Sequence, residues 1–456
     1  MNRLLVLLVL ITLPAPGAGV VARLTHADAG RGLARPELLR RQRRLLSTTT
    51  TDQVPDTAAR LQVRSGLGGG MIVTNEYLVH LSVGTPARAV ALTLDTGSDL
   101  VWTQCAPCRD CFDQALPLLD PVASSTHAPL PCDAPPCRAL PFASCGGSGG
   151  GRSSPAGNRS CVYAYHYGDK SLTVGQLATD RFTFGPDDEN AEGSSSLSTR
   201  RLTFGCGHFN KGVFQANETG IAGFGRGRLS LPSQLNVTSF SYCFTSMFDS
   251  TSSFVTLGGA PAALHSHAHV DGEFRSTPLL RNPAQPSLYF LSLEAISVGA
   301  TRVPMPEHRL RSPTTIIDSG ASITTLPEDV YEAVKAAFVA QVGLPLLAAT
   351  EGSSALDLCF ALPLTAALLR RWRRPAAASV PALTLHLEGA DWELPRASYV
   401  FEDHDARVMC VVLDAAPGDQ TVIGNFQQQN THVVYDLEND LLSFAPAQCD
   451  RLVAST

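Results

Sequence analysis

From Glu76 onward, apolar and polar residues alternate in short runs closed by Gly, Pro and Asp. YLVHLSVGTP at 77–86, AVALTLDTGSDLVWT at 89–103, QLATDRFTFG at 176–185 and RRLTFGCG at 200–207 read as strands. The same pattern returns in LYFLSLEAISVG at 288–299, TTIIDSGASITTL at 314–326, ALTLHL at 382–387 and HVVYDLENDLLSFAP at 432–446. Helical spacing is confined to a few patches, such as Pro327 to Val342. There Pro327, Glu328 and Asp329 suit a first turn, because carboxylates favour the positive end of the helix dipole. The pattern predicts a mostly β body with few short helices. Low-complexity loops interrupt it at Gly146–Ser154, Asp187–Ser198 and Leu264–Val270.

The start of the chain differs. In residues 1–19, Arg3 precedes an apolar run, Leu4 to Leu13, too short to span a bilayer, and Gly17, Ala18 and Gly19 offer a cleavage site. This is the pattern of a secretory signal peptide. Residues 20–65 then hold nine arginines (23, 31, 35, 40, 41, 43, 44, 60, 64) against four acids, Asp28, Glu37, Asp52 and Asp56. A basic segment ahead of an acidic body suggests a propeptide held partly by charge.

Composition narrows the classes. The chain has 456 residues, 44% hydrophobic and 17% charged, which excludes a mostly disordered chain. The 37 Gly and 31 Pro favour turns over long helices. A net charge of −6 argues against a nucleic-acid partner, which calls for a basic face. No internal apolar run is long enough for a membrane span. All 12 cysteines follow the basic segment, and in a secreted chain an even number implies disulfides. Cys105-x2-Cys108-x2-Cys111 could hold zinc or do redox chemistry in a cytosolic protein, but no matching His or Cys pair stands at zinc-finger spacing. His265, His267 and His269 alternate in a loop without nearby acids or Cys, so no metal and no cofactor are expected. Sequons at Asn158, Asn217 and Asn236 fit a glycosylated surface.

A weak internal repeat carries the chemistry. Leu92-Thr93-Leu94-Asp95-Thr96-Gly97-Ser98 is matched by Thr315-Ile316-Ile317-Asp318-Ser319-Gly320-Ala321. In both, an apolar strand runs into Asp, a hydroxyl residue and Gly. Each is followed later by two apolar residues and Gly: Ile221-Ala222-Gly223 and Val422-Ile423-Gly424. One such motif is a weak signal; two in matching context point to paired carboxyls. Two carboxyls at one water can share a proton, the charged one acting as base and the neutral one polarising a scissile carbonyl. Adjacent carboxylates resist ionising together, so an acidic working range follows.

With these motifs, and with CVYAYHYGDKS at 161–171, LTFGCG at 202–207 and FSYC at 240–243, the sequence resembles the pepsin-like aspartic endopeptidases, specifically their plant, nepenthesin-like branch. The resemblance implies an all-β, bilobal pepsin-like fold: two six-stranded-type β lobes, a cleft between them, and one catalytic Asp from each, Asp95 and Asp318. Signal peptide 1–19, basic propeptide 20–70, N-terminal lobe with a Cys-rich insert 71–260 and C-terminal lobe 261–456 are the expected divisions. Thr96 and Ser319 are expected to bond across to the opposite loop. Gly97 and Gly320 leave room for close approach, and Ser98 is placed to bond the outer oxygen of Asp95. Tyr167 matches the flap tyrosine and Trp102 its indole partner. The family usually has Gly where this chain has Lys170, and often Thr or Ser where it has Ala321. The implied disulfides are Cys105–Cys108, Cys111–Cys206, Cys132–Cys161, Cys137–Cys145, Cys243–Cys449 and Cys359–Cys410. The implied protein is a monomeric zymogen that enters the secretory pathway, bound for the cell-wall space or the vacuole, and acts on proteins or peptides.

Three rival readings differ in class. A catalytically inactive homologue that binds or inhibits other proteins should have lost one Asp motif, and both are intact. A secreted carbohydrate-binding β-protein leaves the paired motifs unexplained. A serine or cysteine hydrolase lacks its Gly-x-Ser-x-Gly elbow or a spare thiol.

Overall fold

The computed structural model describes residues 20–26, 76–147, 159–184, 199–214, 217–248, 253–259, 270–347, 356–363, 380–404 and 407–454. The signal peptide, most of the basic segment, Asn158, and His265, His267 and His269 lie outside them.

The alternating runs become strands. Tyr77–Val83 and Arg88–Asp95 pair antiparallel, from Leu78 opposite Thr93 to Val83 opposite Arg88. Leu172–Thr183 and Thr199–Lys211 make the longest antiparallel ladder, with a bulge between Gly207 and Phe209. Buried and open positions alternate along Leu172–Thr183, as a sheet with one packed face requires. Ser239–Cys243 pairs with Thr431–Asp436, so the sheet of the first half continues into the second and reaches fifteen strands. Sheets of five, four and three strands complete the second half of this bilobal, all-β fold. Val20–His26 is an internal strand of the large sheet, between Ser253–Leu257 and Tyr77–Val83. The start of the basic segment is thus held by ladder hydrogen bonds on both edges.

Stacked and edge-on rings join the two halves. Phe240 and Tyr242 from the first pack against Tyr289 and Tyr435 from the second, Phe224 packs edge-on against Phe240, and all are fully buried. Such ring pairs add to the stabilisation from their buried area. The helix Glu328–Val342 starts after Pro327, buries Val330, Tyr331, Val334, Ala337 and Phe338, and ends at left-handed Gly343 (φ +65°). Among the described residues no helix is long and apolar enough to cross a membrane.

Four of the expected disulfides are corrected. Trp102–Gln104 runs parallel to Thr199–Lys211 with Thr103 opposite Cys206. That register brings Cys105 to Cys206, with Cα atoms 5.3 Å apart, and leaves Cys108 to bond Cys111. In the insert, Cys145 and Cys161 face each other across a hairpin. Cys137, on the short helix Pro135–Arg138, packs with Cys161, Leu140 and Tyr163 in one apolar cluster and bonds Cys161; Cys132 takes Cys145. The pairs implied by the resemblance and the structure agree on Cys243–Cys449 and Cys359–Cys410, the latter direct cross-strand neighbours.

Candidate active site

The two Asp motifs are built alike. Arg88–Asp95 runs parallel to Gly220–Gly223, with Asp95 opposite Gly223, and the Asp95 carbonyl accepts the Phe224 N–H at 2.7 Å. Thr315–Ile317 runs parallel to Thr421–Ile423, and Asp318 N donates to the Ile423 carbonyl at 3.0 Å. Each apolar-apolar-Gly partner of the repeat thus lies beside its own Asp strand.

The loops after the two strands grip each other. Thr96 N donates to Ser319 Oγ at 3.0 Å, and Ser319 N donates to Thr96 Oγ1 at 2.9 Å. The two hydroxyls donate onward to the carbonyls of Ile317 (3.3 Å) and Leu94 (2.8 Å). Thr96 and Ser319 are fully buried, so these polar groups need the bonds they make. A Cβ at Gly97 would lie 2.4 Å from Asp318 Oδ2, and one at Gly320 would lie 2.3 Å from Asp95 Oδ1. Only glycine lets each loop approach the other's carboxyl.

The carboxyl of each Asp lies against the glycine of the opposite loop, close enough to act on the other's ionisation. Gly97 N donates to Asp95 Oδ1 at 2.8 Å, and Ser98 Oγ to Asp95 Oδ2. Gly320 N donates to Asp318 Oδ1 at 2.8 Å. Burial lifts the Asp95 carboxyl well above the ordinary range, and the charge of Asp318 lifts it further against the pull of its hydrogen bonds. Burial also raises Asp318, opposed by the N–H groups of Gly320, Gly97 and Ala321 and by the bond with Asp95. Both carboxyls are thus harder to ionise than an isolated one.

Arg159–His166 and Leu172–Thr183 form an antiparallel hairpin whose turn carries Tyr167. Tyr167 N donates to the Ser171 carbonyl at 2.9 Å and Lys170 N to the Tyr167 carbonyl at 3.1 Å. Lys170 takes φ +72°, the left-handed conformation that glycine adopts freely in such turns. Trp102 Nε1 donates to Tyr167 OH at 2.7 Å. The indole also packs edge-on against Phe112 and Phe214. Asn236 is exposed at the end of the helix Leu231–Leu235, and Asn217 is partly buried. Among the described residues no group of three or more His, Cys, Asp or Glu could hold a metal.

The Xylanase inhibitor N-terminal family model matches residues 77–259, and the Xylanase inhibitor C-terminal model matches 288–446. Aspartic proteinase nepenthesin-1 of Nepenthes gracilis is 36% identical over 442 residues, covering 94% of this chain and 90% of the relative. Nepenthesin-2 of the same plant is 34% identical over 445 residues, covering 95% and 91%. The chain belongs to the nepenthesin-type, pepsin-like aspartic proteases. Conglutin gamma from lupine seeds has the same fold, with a TM-score of 0.63 at 19% identity over 84% of this chain and 96% of its own.

Several residues around the nepenthesin-type dyad belong to no motif. Asn425 Nδ2 donates to the Ser319 carbonyl at 3.0 Å, and Gln428 Nε2 to the Asp318 carbonyl at 3.2 Å, so a polar run after Gly424 braces the second loop. Ser322 Oγ donates to Glu76 Oε1 at 3.4 Å, and Thr93 Oγ1 to Glu218 Oε2 at 3.0 Å. Burial lifts the Glu76 carboxyl well above its usual range, and the charges of Glu218, Asp95 and Asp318 add to the lift. Only the run NFQQQN hinted at any of these, as polar residues directly after an apolar strand.

Proposed function

We propose that this chain is a secreted aspartic endopeptidase that hydrolyses peptide bonds at acidic pH, with Asp95 and Asp318 as its catalytic pair. The observation that supports this reading is the reciprocal bonding of Thr96 and Ser319, which ties together the two loops that bear the carboxyls. A water between the carboxyls gives a proton to the charged one as its oxygen attacks the scissile carbonyl carbon. The neutral carboxyl donates its proton to the carbonyl oxygen. The tetrahedral diol then collapses: the C–N bond breaks, the amine leaves with the proton of the pair, and one diol hydroxyl returns its proton as the C=O bond re-forms, so the pair again shares one proton. The Tyr167 hairpin closes over the substrate and excludes water, with Trp102 fixing the phenol.

The remaining parts follow from that role. Residues 1–19 direct the chain into the secretory pathway, with the cell-wall space as destination. Residues 20–70 act as a propeptide, and 71–260 and 261–456 form the lobes. The protein works as a monomer on protein or peptide substrates and needs no cofactor. An inhibitor role accounts less well for two intact motifs that are built alike around a shared proton. The test is cleavage of a denatured protein from acid to neutral pH by the chain freed of residues before Glu76. A hydroxyl-bearing transition-state peptide mimic serves as the control. Cleavage confined to acid and blocked by the mimic is expected; a folded chain that cleaves nothing at any pH rejects the reading.

A further inference from the structure

We propose that Asp99 is a positioning residue for the catalytic pair, clamping the Asp95 loop to the Gly223–Gly227 loop and to the second-half segment at Ser287. The proposal rests on the endopeptidase reading above. Asp99 lies four residues beyond Asp95. Its Oδ1 accepts the Gly227 N–H at 2.7 Å, and its Oδ2 accepts the Ser287 hydroxyl. Its own N–H reaches Tyr165 OH at 3.2 Å, and the Tyr165 ring lies 5.3 Å from that of Tyr167. One residue thus touches the dyad loop, the flap strand, the loop after Gly223 and the second half.

The site is built for this side chain. A Cβ at Gly225 would lie 2.4 Å from Asp99 Oδ1, one at Gly227 2.0 Å from Oδ2, and one at Gly223 2.3 Å from the Asp99 carbonyl carbon. Two of these glycines leave room for the carboxylate and the third for the backbone that carries it. Backbone bonds run beside it, from Gly225 N to the Ser98 carbonyl (2.8 Å) and from Arg226 N to the Ser287 carbonyl (2.9 Å). Arg226 between them turns away, bonding Asp440 at 2.8 Å with its guanidinium 5.1 Å over the Tyr289 ring. The Asp99 carboxylate therefore bonds to neutral donors rather than to that cation. A misplacement of about 1 Å at reacting atoms can cost on the order of 100-fold in rate, so a clamp here acts on the chemical step.

The experiment compares Asp99→Ala, Asp99→Asn and Ser287→Ala in the full chain after activation. Each preparation is titrated with a tight transition-state mimic, so that kcat is read per active site. Asp99→Ala loses both acceptors and should lower kcat about tenfold or more, with KM little changed. Asp99→Asn keeps both contacts, its amide oxygen accepting from Gly227 and its amide N–H donating to Ser287 Oγ. It should stay within about threefold of the parent, since geometry is retained. Ser287→Ala should fall between, and it carries the test if Asp99→Ala does not fold. A role confined to stability would lower Tm and the active fraction but leave kcat per titrated site unchanged, and that result overturns the proposal. Asp95→Asn in the same assay separates the two levels. If it still cleaves, the catalytic pair of that reading is wrong; if it is dead while Ser287→Ala and any folded Asp99 variant match the parent, only the clamp fails.

Discussion

Replacing Ala321 with Thr should move the basic limb of the pH–rate profile to lower pH. The two loops match except at this position. Asp95 receives the Gly97 N–H and the Ser98 hydroxyl, whereas Asp318 receives backbone N–H groups and no hydroxyl from the position equivalent to Ser98. A hydroxyl at 321 would donate to the Asp318 carboxylate and stabilise its charged form, which lowers the pKa of the pair. A hydrogen bond to a charged group contributes about 1.5–3 kcal/mol, and one pKa unit corresponds to about 1.36 kcal/mol, so the ceiling is roughly one to two units. Asp318 keeps part of its surface open, so solvent competes for the same lone pair and the expected shift is about half a unit to one unit. Activity needs one proton on the pair, so the limb where that proton is lost must move downward. The assay is kcat/KM against pH on one peptide, with Ser98→Ala as the mirror experiment expected to move the limb upward. A limb that stays in place in Ala321→Thr, or moves up, refutes the idea that this missing hydroxyl tunes the site.

Gly97→Ala should reduce kcat/KM by about 100-fold or more with an unchanged circular dichroism spectrum, because its Cβ would meet Asp318 Oδ2 at 2.4 Å; activity near the parent's would mean the loops have slack. Lys170→Gly should leave thermal stability equal or raised. The left-handed conformation costs an L-residue about 1–2 kcal/mol, and the extra freedom of an unfolded glycine returns about 0.4–1 kcal/mol. A clear loss would show that the Lys side chain stabilises the turn. Mass mapping of the unreduced protein should recover Cys105 linked to Cys206 and Cys137 linked to Cys161; fragments joining Cys111 to Cys206 or Cys132 to Cys161 would contradict the register of the strands.

The strands were legible because alternation reports one buried face, as along Leu172–Thr183. The meeting of Asp95 and Asp318 was legible because the motif occurs twice, each time with its apolar-apolar-Gly partner, and each partner is a parallel neighbour in the sheet. Cysteine pairing was not, since it depends on which residues face each other across strands, and Thr103 opposite Cys206 is a fact of register. Val20–His26 opens on three apolar residues without alternation, and it lies in a segment dominated by arginines. Glu76 stands in no motif, and Asp99 and Glu218 lie inside DTGSDLVWTQC and a sequon that point to other roles. Their surroundings arise from long-range packing, and only the glycines at 223, 225 and 227 left a trace.

The most direct test of the central claim is hydrolysis of a single peptide by the activated Asp95→Asn and Asp318→Asn variants, with folding and disulfides verified in each. Each carboxyl supplies half of one acid–base device, so each variant should be inactive while retaining the fold. Appreciable turnover by either folded variant would contradict the assignment of this pair.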